Sequence, residues 1–219
     1  MATNESALLT RAQRAAQLHG IYAIVNEDDR TLTIARAALD AGIRIVQYRA
    51  KTGIVAANLQ RLRSQTRERG ALLIVNDNWR AALAFDCDGV HLGPDDDGFA
   101  SVAPVRAALH DRLIGLSCGT VEEAQRANAE DADYVGAGSV YATASKADAG
   151  DPIGLDGLRR VASASRYPVA AVGGIGIAQI GEVGQTGVAM AAVISALASA
   201  TDARAAASEL VARWPARHA

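Results

Sequence analysis

Hydrophobic residues along the chain form short runs that alternate with longer segments of helical period. Each run is rich in Val, Ile, Leu and Ala and ends in Gly, Asn, Asp or Ser, which is typical of a buried strand. Eight strands are predicted: Ile21–Asn26, Ile45–Arg49, Leu72–Asn76, Gly89–Leu92, Leu113–Ser117, Tyr134–Ser139, Val169–Gly173 and Val188–Ser195.

The segments between these runs are rich in Ala and Arg and repeat their apolar positions with helical spacing. The predicted helices are Leu32–Ala41, Ala56–Arg69, Trp79–Phe85, Ala100–Leu109, Val121–Ala129, Leu155–Ala164, Ala178–Gly184 and Ala203–Trp214. One more helix, Ala7–Leu18, precedes the first strand. Thr201 or Asp202 is expected to cap the last helix.

Eight strands, each followed by a helix, are the number that closes a (β/α)8 barrel. We therefore predict an α/β fold, a TIM barrel with an extra N-terminal helix. Residues 1–19 form the helical extension and 20–214 the barrel, within a single domain 1–219. An open doubly wound sheet is the alternative, but the turn at 26–29 after the first strand contains no glycine, so the dinucleotide-binding fingerprint is absent there.

Composition narrows the class of partner. Half of the 219 residues are hydrophobic, and the formal net charge of −2 comes without a basic block, which argues against nucleic acid or an anionic membrane as the main partner. No apolar run is long enough to span a membrane, and the N-terminus does not resemble a signal peptide. We expect a cytoplasmic protein with reduced cysteines at Cys87 and Cys118. Apolar helix faces fit a homodimer or the barrel alone.

Polar and charged side chains alternate at the end of the second predicted strand. Gln47, Arg49 and Lys51 share one side of an extended chain. An Arg and a Lys inside a barrel are costly unless an anion meets them. Arg offers phosphate a planar fork, and Lys offers a mobile charge. The pattern predicts an anion site, with an ion-paired strand end facing solvent as the alternative.

Carboxylates follow the third and fourth predicted strands, which are neighbours in a barrel. Asp77 comes directly after Asn76, and a run of three aspartates occupies 95–97. Mg²⁺ is usually held by one or two carboxylates together with waters and substrate phosphates, so these residues are candidate ligands. Which aspartate of the run meets the metal depends on register. The alternatives are a helix cap at Asp77 or Asn78 and a solvated loop at 95–97.

The fifth predicted strand ends at Ser117, with Cys118 pointing to the opposite side, so at most one of them faces the barrel axis. No His–carboxylate pair is placed to activate Ser117, which argues against hydrolase chemistry. His91 in the fourth strand is interpreted as a core or tautomer-locked histidine, not a zinc ligand, because no second His or Cys has matching spacing.

The loops after the last three strands are rich in glycine and hydroxyl groups. Thr143 and Ser145 beside Lys146 form an oxyanion cradle or, alternatively, a flexible surface loop. The glycines at 173–174 and the small-residue turn after strand 8 stand where α/β barrels commonly bind phosphate through backbone N–H groups. Two anion sites are therefore predicted: a cationic, metal-assisted one at strands 2, 3, 4 and 6, and a neutral one at strands 7 and 8.

Seven short motifs, in this order, resemble the thiamine-phosphate synthase family from the first strand to the eighth. Each motif is weak alone, and their order and spacing carry the resemblance. They are Gln47-Tyr48-Arg49-Ala50-Lys51, Val75-Asn76-Asp77, Gly89-Val90-His91-Leu92-Gly93 with Asp96, Gly115-Leu116-Ser117, Thr143-Ala144-Ser145-Lys146 with Asp148, Gly173-Gly174-Ile175, and Val193-Ile194-Ser195-Ala196.

The resemblance implies a transferase that joins a hydroxymethylpyrimidine diphosphate to a thiazole phosphate, with Mg²⁺, and releases thiamine monophosphate and pyrophosphate. It implies catalytic roles for Arg49, Lys51, Ser117 and Lys146. By the same resemblance, Arg49, Lys51 and Lys146 hold the diphosphate, Gln47 and Asn76 lie beside it, Asp77 and Asp96 bind Mg²⁺, Ser117 lies near the pyrimidine, and Thr143, Ser145, Gly174, Ile194 and Ser195 contact the thiazole phosphate.

Four positions depart from the family's usual pattern: Gly119 replaces a frequent His, Ala142 a Pro, Ser145 a Thr and Pro94 a Gln. None of them removes a charge from the expected diphosphate site. The alternatives are a thiazole tautomerase of the same fold, a non-catalytic barrel that binds thiamine phosphates, and another phosphate-binding barrel such as an epimerase or aldolase. Gly119 argues against the tautomerase because it supplies no acid–base group.

Overall fold

The apolar runs form eight parallel strands that close into a barrel. The computed structural model describes residues 9–145 and 150–215. The strands are β1 (Gly20–Asn26), β2 (Ile45–Arg49), β3 (Leu72–Asn76), β4 (Gly89–Leu92), β5 (Leu113–Cys118), β6 (Tyr134–Ala137), β7 (Val169–Val172) and β8 (Met190–Val193). Each strand pairs with the next, and β8 pairs with β1, so the predicted barrel is confirmed.

Helices surround the barrel. They are α1 (Arg11–Ala15), α2 (Thr31–Asp40), α3 (Ala56–Glu68), α4 (Trp79–Ala84), α5 (Ala103–Leu109), α6 (Val121–Ala127), α7 (Gly154–Ala164), α8 (Ile180–Gly184), α9 (Ser195–Ala198) and α10 (Ala203–Arg213). Asp202 caps α10 as predicted, accepting bonds from two backbone N–H groups. No helix in the described part of the chain has the length and apolar character needed to cross a membrane.

Alternation along the strands separates two apolar layers. On β3, Leu72 and Ile74 belong to the cluster inside the barrel, whereas Leu73 and Val75 belong to the layer between strands and helices, together with Leu59 of α3. Because both faces of the sheet are covered, the strands are almost continuously apolar. Polar side chains in the barrel therefore concentrate at the carboxyl ends of the strands.

Several predicted boundaries differ from those of the structure, and two of the differences are informative. β8 was expected to run to Ser195 but ends at Val193, and Ser195 begins α9, a short helix that was not predicted. The N-terminal helix was expected to end at Leu18 but ends at Ala15. The chain then turns, so that Leu18 enters the inner cluster of the barrel. The predicted start of this helix, Ala7, lies outside the described residues.

A buried carboxylate holds the amino-terminal end of the barrel together. Asp88, directly before β4, accepts hydrogen bonds from Arg14 Nε at 3.1 Å and Arg63 Nη1 at 2.6 Å. It also accepts one from the backbone of Leu73 at 3.0 Å. The side chains of Asp88 and Arg14 are 3% and 4% exposed. This ion triad ties α1 and α3 to the amino-terminal end of the barrel, opposite the carboxyl rim. Residues at that end generally contribute to stability and not to catalysis.

Asp88→Asn is expected to lower the free energy of unfolding by about 3–5 kcal/mol, because it leaves two buried guanidinium groups without their counter-charge. The matched control is Asp86→Asn, whose carboxylate is 40% exposed where it pairs with Arg67 and Arg112. That change should cost less than about 1 kcal/mol. Urea unfolding measures both variants, and equal losses would contradict the assignment.

Candidate active site

A cavity opens at the carboxyl ends of the strands, where parallel α/β barrels place their chemistry. Its volume is about 430 Å³, within the range of small-molecule sites. Twelve of the thirteen residues predicted from the sequence line it: Gln47, Arg49, Lys51, Asn76, Asp77, Asp96, Ser117, Thr143, Ser145, Gly174, Ile194 and Ser195. The thirteenth, Lys146, lies outside the described residues.

The cationic wall of the cavity comes from β2. Arg49 is half-buried, and its Nη1 donates a hydrogen bond to Asn26 Oδ1 at 3.1 Å. Asn26 ends β1 and stands beside Arg49 in the register of the two strands. Lys51, two residues further on, is exposed in the loop after β2. Thus Arg49 is held by a neighbouring strand, whereas Lys51 lies exposed in a loop.

The acidic wall comes from the ends of β3 and β4. Asp77 has a left-handed backbone (φ 65°), which is uncommon for a residue other than glycine, and its N–H donates to the His91 carbonyl at 2.8 Å. The neighbouring Asn78 caps α4 by accepting from Ala81 N, so the expectation that Asp77 or Asn78 caps this helix is met by Asn78. The Asp77 side chain instead lines the cavity.

The aspartate run after β4 divides between the cavity and the outer surface. Asp95 and Asp96 line the cavity, and Asp96 Oδ2 accepts from Gly93 N at 2.6 Å. Asp97 is turned toward α4, where it accepts from Trp79 Nε1 at 3.2 Å and pairs with Arg80. The hydrogen bond from Arg80 holds the pKa of Asp97 below its usual range. The register therefore presents Asp95 and Asp96, not Asp97, to the cavity.

The opposite wall is built from backbone and hydroxyl groups. Gly173 and Gly174 after β7 have positive φ values of 99° and 66°. A Cβ on Gly174 would lie 2.7 Å from the carbonyl oxygen of Ala142. The close approach lets the loop after β6 pair with the end of β7, through Tyr141 N and the Gly173 carbonyl at 3.0 Å. This pairing brings Thr143 and Ser145 to the cavity.

The floor of the cavity is a continuous line of hydrogen-bonded side chains. Gln47 Nε2 donates to Tyr22 Oη at 2.8 Å, and Tyr22 Oη lies 2.9 Å from Tyr134 Oη. Tyr134 Oη is 3.2 Å from His91 Nδ1, and His91 Nε2 is 3.1 Å from Ser117 Oγ. Burial raises the pKa of both tyrosines above the ordinary value, so both hydroxyls stay protonated.

Comparisons with known proteins point to one family. The family model described as thiamine monophosphate synthase matches residues 21–197. A thiamine-phosphate synthase of Archaeoglobus fulgidus is 45% identical over 81% of this chain and 84% of its own. A thiamine biosynthesis bifunctional protein of Symbiobacterium thermophilum is 45% identical over 81% of this chain, which spans only 37% of that protein.

A solved structure, the thiamine phosphate pyrophosphorylase of Pyrococcus furiosus, superposes with a TM-score of 0.80 at 38% identity, covering 90% of this chain and 96% of that one. The chain belongs to the thiamine monophosphate synthase family. The resemblance carried by the seven motifs is thereby confirmed.

Sequence analysis missed the two floor tyrosines of this family member. The alternation of strands contained a signal for them, since Tyr22 is in phase with Ile24 on β1 and Tyr134 with Gly136 on β6, and all four line the cavity. Their contact could not be predicted, because 112 residues separate them along the chain. His91, interpreted as a core or tautomer-locked histidine, lines the cavity with its ring nitrogens near two hydroxyls.

The departure at Gly119 lies beside a carboxylate that was also missed. Glu123 lines the cavity, accepts hydrogen bonds from the backbone N–H groups of Gly119 and Thr120, and completes the capping box of α6. This carboxylate is thus engaged at a helix start. Its engagement argues against the acid–base role that a tautomerase would require at this position.

Gly115→Ala is expected to disrupt the floor, because a Cβ at Gly115 would lie 2.1 Å from Tyr134 Cζ. The Tyr134 ring would have to move, at a cost of about 1–3 kcal/mol in the free energy of unfolding. Gly119→Ala is the matched control, since its Cβ would meet nothing closer than 3.4 Å. Denaturant unfolding compares the two variants, and equal stabilities would show that the ring has room to spare.

Proposed function

We propose that the protein condenses hydroxymethylpyrimidine diphosphate with a thiazole phosphate, giving thiamine monophosphate and pyrophosphate. Membership of the family makes the chain a thiamine-phosphate synthase, a transferase. The observation that carries the substrate assignment is the split of a single cavity into a charged wall and a backbone-built wall. The two walls suit two different anions, a diphosphate and a phosphate monoester.

The charged wall takes the diphosphate in this proposal. Arg49 offers a planar pair of N–H donors, and Lys51 adds a compact point charge on a flexible side chain. Asn76 and Gln47 lie beside them on the cavity wall. Lys146, expected from the family motif, would join from the loop after β6. The cations stabilise negative charge that grows on the diphosphate as it leaves.

The residues present also fit Mg²⁺. Asp77 and Asp96 come from neighbouring strand ends and line the same cavity. Among the described residues, no group of three or more His, Cys, Asp or Glu side chains is placed to hold a metal. A small carboxylate set of this kind suits Mg²⁺, which is usually completed by waters and substrate phosphate oxygens. When bound, the ion would neutralise charge on the departing diphosphate.

The neutral wall takes the thiazole phosphate. Gly174 exposes backbone without a side chain, and Thr143 and Ser145 add hydroxyl groups. After Ile194 the chain enters α9, whose first residue, Ser195, adds another hydroxyl. None of these groups carries a charge. In this proposal they hold the monoester by hydrogen bonds, and the cations of the opposite wall serve the departing pyrophosphate. Separate walls keep the two phosphates from competing for one set of ligands.

The chemistry needs positioning more than proton transfer. The C–O bond to the diphosphate breaks with its electron pair going to the leaving group, and the electron-rich aminopyrimidine stabilises the resulting cation. The lone pair of the thiazole nitrogen then forms the new C–N bond. That nitrogen carries no proton, so no general base is required. The cavity has to hold the two reacting atoms in contact and exclude water.

Two further expectations concern location and assembly. Cytoplasmic location is supported by two free cysteines, Cys87 and Cys118, both of which are buried. A homodimer through apolar helix faces stays a prediction.

Asp77→Ala is expected to lower kcat by about 100-fold or more at saturating substrates, since it removes one of two carboxylates at the diphosphate. The assay incubates purified protein with both substrates and Mg²⁺ and follows thiamine monophosphate. Asp97→Ala is the matched control, because Asp97 faces Trp79 and Arg80 outside the cavity. Its kcat should stay within about threefold of the unmodified protein.

The unmodified protein should form product only when Mg²⁺ or Mn²⁺ is present. Failure to form thiamine monophosphate with either ion would contradict the proposed function. Equal losses in Asp77→Ala and Asp97→Ala would leave the synthase assignment standing but contradict the metal assignment, because only one of the two aspartates lines the cavity.

A further inference from the structure

The hydrogen-bonded floor has a direction, set by the chemistry of its first member. Gln47 Nε2 is an amide nitrogen and can only donate, so Tyr22 Oη accepts from it and keeps its own proton to give. The Tyr22 O–H therefore donates a hydrogen bond to Tyr134 Oη, 2.9 Å away. Tyr22 is 2% exposed and Tyr134 is fully buried, so an O–H left without an acceptor here would cost about 1–3 kcal/mol.

The same reasoning fixes the tautomer of His91. Tyr134 Oη accepts a hydrogen bond from Tyr22, so its own O–H must donate to His91 Nδ1, at 3.2 Å. Nδ1 therefore presents a lone pair, and the ring proton sits on Nε2. His91 Nε2 then donates to Ser117 Oγ at 3.1 Å. With its oxygen occupied as an acceptor, Ser117 has its own proton available for the cavity that it lines.

We propose that Tyr134, acting through His91, is a positioning residue that fixes Ser117 as a hydrogen-bond donor toward the heterocycle of the diphosphate substrate. A donor at this place favours a ring that offers an acceptor atom there, such as a ring nitrogen. The same order leaves Gln47 Oε1 as the acceptor end of the floor. This inference rests on the proposed function for the identity of the substrate, but the proton order is a property of the protein alone.

Two nearby glycines support a floor built for these rings. A Cβ on Gly115 would lie 2.1 Å from the Tyr134 ring, and a Cβ on Gly136 would lie 3.0 Å from His91 Cε1. Each polar ring is thus set against a strand position without a side chain. A line of buried polar side chains costs free energy unless every member has its hydrogen-bond partners, and an apolar floor would avoid that cost.

The two tyrosines give a matched pair of variants. Tyr134→Phe removes the donor to His91 Nδ1 and so removes what selects the tautomer. Tyr22→Phe cuts the link to Gln47, but among the contacts of the described residues His91 Nδ1 is then the only acceptor left for the buried Tyr134 O–H, so Tyr134 still donates to His91. Both changes keep the ring and leave the apolar packing in place. The proton order therefore predicts different results for two chemically identical substitutions.

The first measurement is the ¹⁵N–¹H NMR spectrum of the four histidine rings in protein labelled on histidine. His91→Asn identifies the His91 signals by their loss. His91 should be the Nε2–H tautomer in the unmodified protein and in Tyr22→Phe, and a mixture of tautomers in Tyr134→Phe. A His91 protonated on Nδ1 in the unmodified protein would overturn the proposal, as would equal tautomer shifts in the two variants.

The second measurement is calorimetric binding of the pyrimidine diphosphate, with inorganic pyrophosphate as the control ligand. Tyr134→Phe should weaken the pyrimidine diphosphate by about three- to tenfold, the loss of one hydrogen bond, and leave pyrophosphate unchanged. Equal weakening of both ligands would contradict a role in reading the ring. If the unmodified protein binds pyrophosphate but shows no preference for the pyrimidine diphosphate, the proposed function fails while the tautomer result stands.

Discussion

Closure of the parallel sheet is the constraint on which the rest of this structure depends. Because β8 pairs with β1, all eight carboxyl ends meet at one rim, and residues far apart in sequence become neighbours across a single opening. Pairing of β3 with β4 sets Asn76 beside His91, and pairing of β5 with β6 sets Ser117 beside Gly136. The site is therefore a consequence of strand register more than of any one loop.

The two ends of the barrel use charge differently. At the amino-terminal end, Asp88 is buried with Arg14 and Arg63, and its carboxylate binds these two side chains of α1 and α3. At the carboxyl end, Arg49, Lys51 and Asp77 line an open cavity. Asp77 carries the left-handed backbone often found at functional sites. Opposite them, Gly174 and its neighbours offer only dipoles, so the rim is divided into a charged half and a neutral half.

The bounds of several strands, and the side of the strand on which each residue lies, could be predicted from the sequence. Both depend on the local pattern of apolar and polar residues. β2, β3 and β4 begin and end at the predicted residues, since each is a short apolar run stopped by polar ones. The side of the chain taken by Gln47, Arg49 and Lys51 followed from alternation alone, and all three line the cavity.

What could not be read from the sequence depends on contacts made by closure. The Tyr22–Tyr134 contact joins the first strand to the sixth across the barrel. The turn of Asp97 away from the cavity depends on where α4 presents Trp79 and Arg80. The early end of β8 follows from α9, a single helical turn too short to leave a periodic signal.

We propose that one rim holds two phosphate groups at once, on walls of different chemistry. Calorimetric titration of one sample with inorganic pyrophosphate, then with the thiazole phosphate, tests it most directly in the presence of Mg²⁺. The account predicts that each ligand binds with a stoichiometry near one whether or not the other is present, and that Arg49→Ala weakens pyrophosphate alone. Mutual exclusion of the two ligands, or equal weakening of both by Arg49→Ala, would contradict it.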